Sequence, residues 1–137
     1  MTPKELVRKY APMASFQESA DGNSYYEPAS LTIYIGEKYP FLTACHEIGH
    51  YLLRHSPRSF LKLSDNPESV WQEELDAWKV AKQIADIEEI AFDDEYVNAY
   101  CLGSYRRSLG VVCAPYWKDV NPQDIAVQFE LPLYKAD

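Results

Sequence analysis

Two histidines stand four residues apart around a glutamate in His46-Glu47-Ile48-Gly49-His50, the stretch of this chain best equipped for chemistry. On an α-helix at about 100° per residue, His50 lies about 40° from His46, one turn on, and Glu47 lies about 100° away. Phe41, Leu42, Ala44, Cys45, Ile48, Leu52 and Leu53 fill the arc from about 160° to about 340°. The apolar arc is thus opposite the His-Glu-His face. Two imidazoles one turn apart can converge on one Zn²⁺ at about 2.0–2.1 Å, with the intervening glutamate beside the ion. Neutral imidazole suits Zn²⁺, and two of them leave its charge largely uncancelled. That charge lowers the pKa of a bound water toward roughly 7. Glu47 would take the proton from that water and pass it to a leaving amine. The bland alternative is a surface helix with two solvated histidines.

A catalytic zinc site needs a third protein ligand. His55 falls about 180° from His46 and cannot join the pair from the same helix. Pro57 and Phe60 stand where a metzincin would carry its downstream glycine and histidine. An acidic residue on a second helix remains. Glu74, Ala77, Trp78, Ala81 and Ala85 share one helical face, which makes Glu74 a carboxylate on an otherwise apolar stripe. Burying it without a partner is costly, and a metal would satisfy it. Glu73 lies about 100° to one side and Asp76 about 200° away, so both are weaker candidates. The alternative for Glu74 is a carboxylate near a helix start, favoured by the dipole.

The elements that must position these residues can be read along the chain. Thr2-Pro3-Lys4-Glu5 has capping-box spacing with Pro at the first helical position, predicting a helix to about Tyr10 that Pro12 ends. Residues 16 to 30 are polar and turn-rich, with a turn at Asp21-Gly22-Asn23. Leu31-Thr32-Ile33-Tyr34-Ile35 reads as a strand, with Tyr25 and Tyr26 as candidates for its partner. This strand is either an ordinary core strand or an edge that pairs with an extended substrate. Pro40 opens the metal-binding helix, which runs to about Arg54. A polar connector from Ser56 to Pro67 leads to a second helix from about Glu68 to Ala85 or beyond. Asp93 or Asp94 can cap a third helix bearing Tyr96, Val97, Tyr100 and Cys101, ending near Gly103 or Gly110. The tail from Val111 is proline-interrupted, with one strand at Ile125 to Leu131. Tyr96, Tyr100 and Tyr105 are candidates for stabilising an oxyanion.

Residues 26 to 85 resemble the zinc metallopeptidase-like domain of the ImmA/IrrE type, a minimal gluzincin. The resemblance runs from Tyr26-Glu27-Pro28 through the strand at 31 to 35 and into Phe41-Leu42-Thr43-Ala44-Cys45-His46-Glu47-Ile48-Gly49-His50. It ends on Glu74-Leu75-Asp76-Ala77-Trp78, against the family's E-x-x-A-[ND] segment, and so implies Glu74 as the glutamate ligand. Trp78 departs from the family's Asn or Asp, a position suited to orienting a ligand histidine. An indole only donates, so either a partner for the imidazole N–H comes from elsewhere or metal affinity is weakened. The stretch from about Phe92 to Asp137 lacks the family's continuation. The resemblance implies a cytoplasmic peptidase, often borne by phage or mobile elements, that cleaves one dedicated protein such as a repressor. No helix-turn-helix signal is present here, so that regulator would be a separate chain.

Length and composition agree with this scale. With 137 residues the chain is expected to form one α+β domain, mainly helical, with a small antiparallel sheet packed on the metal-binding helix. The N-terminal residues carry no long apolar run, so neither a leader nor a membrane span is expected. With 21 acidic against 13 basic residues, the net charge of −8 disfavours a nucleic-acid partner. Cys45, Cys101 and Cys113 are too sparse for a disulfide framework and read as buried thiols. Beside the zinc metallopeptidase, two other readings stay open: a zinc-binding interaction or sensing module with a closed coordination sphere, and an amidase with a narrower pocket.

Overall fold

A computed structural model of the chain describes residues 1–53 and 67–97, the side chains of 67–71 excepted. Expectations for His55, Tyr100, Cys101, Tyr105, Cys113 and the tail strand lie outside the described residues. The elements are α1 (Pro3–Tyr10), β1 (Ser15–Glu18), β2 (Tyr25–Glu27), β3 (Thr32–Ile35), α2 (Pro40–Leu52), α3 (Pro67–Glu88) and α4 (Asp94–Tyr96). The fold is α+β, and among the described residues no helix is long and apolar enough to cross a membrane.

α1 and α4 begin where their caps predict. Thr2 accepts the Glu5 amide at 3.1 Å, and its hydroxyl donates to the Glu5 carboxylate at 3.3 Å. Asp93 caps α4 by accepting the Tyr96 amide at 3.0 Å. Pro40 and Pro67 each occupy a first helical position, where a missing N–H costs nothing. At the far end of α1, the Lys9 ammonium lies 2.7 Å from Glu88 and the Tyr10 hydroxyl donates to the same oxygen at 2.8 Å. These contacts tie α1 to the end of α3.

The sheet departs from expectation in the direction of one strand pair and in where its central strand begins. It is mixed rather than antiparallel, in the order β1-β3-β2, with β1 parallel and β2 antiparallel to β3. After β1 the chain reverses through the Asp21-Gly22-Asn23 turn and crosses to the far edge instead of pairing with β1. Asp21 stabilises that turn by accepting the Ser19 hydroxyl and the Asn23 amide, and Gly22 supplies φ 81°. β2 then returns through Pro28 to Leu31, leaving β3 in the middle. β3 is paired on both sides, so the possibility that it is a free edge for extended substrate is excluded. Leu31, expected as the first strand residue, instead takes φ 51° to close the turn, with its amide on the Pro28 carbonyl at 3.3 Å.

The core lies where this sheet and α1 meet α2 and α3. Ile33 and Ile35 of β3 are buried against Leu42, Cys45 and Ile48 of α2. Leu6 and Val7 close the cluster from α1, and Trp78, Ala81 and Ile84 close it from α3. Tyr26 meets Tyr51 edge-on at 5.8 Å, and the Ser24 hydroxyl donates to Thr43 at 3.1 Å, so the sheet is pinned to α2 at two points. Hence α2 is held by sheet and α1 on one side and by α3 on the other.

Candidate metal centre

His46 and His50 project from α2 toward α3, where Glu74 stands two turns in from Pro67. That depth in α3 removes the helix-start explanation for Glu74. The apolar stripe around it is buried: Ala77, Trp78, Ala81 and Ala85 each keep 2% exposure or less, and Glu74 keeps 4%. A carboxylate so placed requires compensating partners, and two imidazoles supply them. Glu74 Oε2 lies 3.2 Å from Nε2 of His46 and 2.9 Å from Nε2 of His50, and the two Nε2 atoms are 3.1 Å apart.

That triangle is informative. Each imidazole Nε2 carries one in-plane proton or one lone pair and can serve one partner. Three mutual contacts therefore cannot all be hydrogen bonds. One cation touching all three atoms satisfies them together. In a tetrahedron with bonds of about 2.0–2.1 Å the ligand atoms lie about 3.3–3.4 Å apart, within about 0.5 Å of each observed edge. Two nitrogens and one carboxylate oxygen also form a donor set suited to a divalent transition metal. The residues present fit a metal ion, and three ligands leave one tetrahedral position open.

The electrostatics describe what holds the group together without an ion. Burial, the largest influence on His46, disfavours its charge, yet the Glu74 and Glu47 carboxylates outweigh burial and raise its pKa to about 10. Glu74 shows the reciprocal effect: burial favours its neutral form, but His50 and His46 hold it well below the ordinary 4.5. An imidazolium and a carboxylate thus occupy the metal-free site, and metal must displace a proton to enter. The histidine side chains keep 13% and 14% exposure against 6% for Glu74, so the group is nearly but not wholly enclosed.

The surrounding residues differ from simple expectation. Glu47, placed by the helical wheel on a flank of the motif, is buried at 4% exposure, and its Oε1 lies 3.2 Å from Nδ1 of His46. Trp78 lies flat on the His46 ring, with centroids 4.0 Å apart and planes 8° apart. This stack was missed in reading the sequence, although Trp78 follows Glu74 by one helical turn on the same stripe and was therefore bound to lie near the histidines. Asp76 turns away and accepts from Gln72 at 2.7 Å, and Glu73 is outside the metal-capable group. Tyr96 packs on Tyr39 at 4.4 Å, at the opposite end of α2 from His50. Cys45 is buried and its thiol is pushed up to about 12 by burial, which makes it an inert core residue despite its position beside His46.

No protein-family model matches the chain, and comparisons with curated proteins and with solved structures likewise give no match. The functional reading therefore stands on the site.

Proposed function

We propose that this chain is a zinc-dependent hydrolase of the ImmA/IrrE-like kind, cleaving a peptide bond in a specific partner protein. The observation that carries the reading is the Nε2–Nε2–Oε2 triangle, with edges of 2.9 to 3.2 Å, drawn from two helices. His46, His50 and Glu74 would hold the ion. When bound, Zn²⁺ supplies the Lewis acidity that makes a water nucleophilic near neutral pH and polarises a carbonyl. Glu47 would hold the proton given up by the attacking water at its carboxylate and return it to the leaving nitrogen. A carboxylate has lone pairs enough to keep one oxygen on His46 while the other serves as this base. Trp78 shields one face of His46 from solvent. Its aromatic bulk, with Phe92 edge-on behind it at 6.1 Å, gives the site an apolar wall.

One observation favours a second reading, a metal-binding module without hydrolysis: Oε1 of Glu47 lies 3.2 Å from Nδ1 of His46, the ring nitrogen outside the triangle. The two readings separate in one experiment. Zinc-loaded wild type and Glu47→Gln are each incubated with proteins from the native host, and new protein termini are mapped by mass spectrometry. The hydrolase reading expects termini that depend on wild-type chain and on zinc. Their absence from both samples, with zinc bound in both, would leave the binding module.

A further inference from the structure

We infer that Glu47 is a positioning residue for His46, fixing which ring nitrogen carries the proton and thereby presenting Nε2 to the metal. This rests on the metal-centre reading above and adds a duty to Glu47 that is separate from proton transfer. A neutral imidazole binds metal through the nitrogen that has no hydrogen, so an Nε2 ligand requires its proton on Nδ1. Ligand histidines commonly have a carboxylate or carbonyl at that second nitrogen, which sets tautomer and ring orientation. The residue on α3 stacked against His46 cannot do this. Trp78 offers a ring face and an N–H donor, and its Nε1 is buried without a hydrogen-bond partner among the described residues. Stacking at 4.0 Å and 8° restrains the plane of the His46 ring but is indifferent to which nitrogen holds the proton.

Glu47 supplies the missing preference. Its Oε1 is 3.2 Å from Nδ1, and at 4% exposure little solvent screens that contact. A negative oxygen there favours hydrogen on Nδ1, so the proton that metal displaces is the one on Nε2, whose lone pair then faces His50 and Glu74. The motif's two neighbours on the chain thus divide the labour of one ligand: His46 binds, and Glu47 sets how it binds. Glutamine keeps an oxygen acceptor at this place, whereas alanine removes it.

The test compares Zn²⁺ affinity of wild type, Glu47→Gln and Glu47→Ala by competition with a chromophoric chelator, together with ring ¹⁵N spectra of His46. Alanine should weaken zinc by about 10–100-fold, the range for loss of such a partner, with glutamine restoring most of it. In the zinc-loaded glutamine variant the spectra should show hydrogen on Nδ1. The metal-free spectra decide independently of zinc: exchange of the Nδ1 hydrogen should be slow in wild type and glutamine variant and fast in alanine. If alanine binds zinc as tightly as wild type, or the Nδ1 hydrogen exchanges equally fast in all three proteins, the assignment is overturned. A wild type that shows the slow hydrogen but takes no zinc would instead overturn the metal-centre reading while sustaining this contact.

Discussion

Gly49 and Ala77 meet backbone to backbone: a Cβ added to Gly49 would lie 2.5 Å from the Ala77 carbonyl oxygen. This contact sets the distance between α2 and α3, and with it the site. Gly49 directly precedes His50, and Ala77 lies one turn after Glu74 on the face that carries the ligand. The glycine inside the metal-binding motif is therefore a spacing residue, needed for close approach rather than for an unusual φ.

Replacing it should have a sign opposite to helix propensity. Alanine in a helix interior is favoured over glycine by about 1 kcal/mol. Overpacking against backbone here should cost up to about 3 kcal/mol, which leaves a net loss of at most about 2 kcal/mol, and should push Glu74 from the histidines. Urea unfolding of Gly49→Ala should show a lower midpoint than wild type, with weaker zinc retention. A more stable variant would mean that the helices separate freely and that the contact does not position the site.

Glu74→Gln should weaken zinc retention far more than Glu73→Gln or Asp76→Asn. Of these three, Glu74 is the one with an oxygen within 3.2 Å of both imidazoles, while Asp76 is engaged with Gln72. Metal content after dialysis checks this, and greater loss from Asp76→Asn would reassign the ligand.

The pH dependence of the metal-free protein follows from the same pair. His46 has its pKa raised from 6.5 to about 10, so its contribution is full below 6.5 and is lost as pH climbs toward about 10. Glu74 has its pKa lowered, so its contribution is present above 4.5 and lost in stronger acid. In chelator, wild type should exceed His46→Asn in stability most at about pH 5–6, and the gap should close by about pH 10. Zinc affinity should run the other way, rising with pH because uptake displaces a proton. Urea midpoints across this range test the first trend and chelator competition the second. A gap that widens with pH would contradict the ion-pair description.

Glu47→Gln should keep zinc and fold yet lose hydrolysis by about 10²–10⁴-fold, the usual contribution of a positioned base. Product formation on the identified protein substrate, with zinc content measured alongside, is the check. Undiminished cleavage would remove Glu47 from proton transfer.

Much of the site was legible in the sequence because it is helical, and a 3.6-residue period can be read without knowing the partner. The wheel separated His46 and His50 from Leu42, Cys45 and Ile48, and the stripe through Ala77 and Ala81 singled out Glu74. The sheet was legible only where it is apolar. Ser15-Phe16-Gln17-Glu18 holds one apolar side chain, and it forms a strand because β3, well downstream, offers hydrogen-bonding groups in register. Pairing partners and direction depend on such nonlocal contacts, which is why an antiparallel sheet was expected and a mixed one found. The Glu47–His46 contact was hidden for a different reason: the wheel gives angles between side chains, not the rotamer that turns one carboxylate toward its neighbour.

The most direct test of the metal centre is stoichiometry. Zinc is measured by atomic absorption after the chain is loaded and dialysed, alongside His46→Ala and His50→Ala, with circular dichroism to verify fold. Three protein ligands and one open position predict about one Zn²⁺ per chain in wild type and essentially none in either folded variant. Wild type that retains no zinc, or variants that retain as much as wild type, would contradict the account.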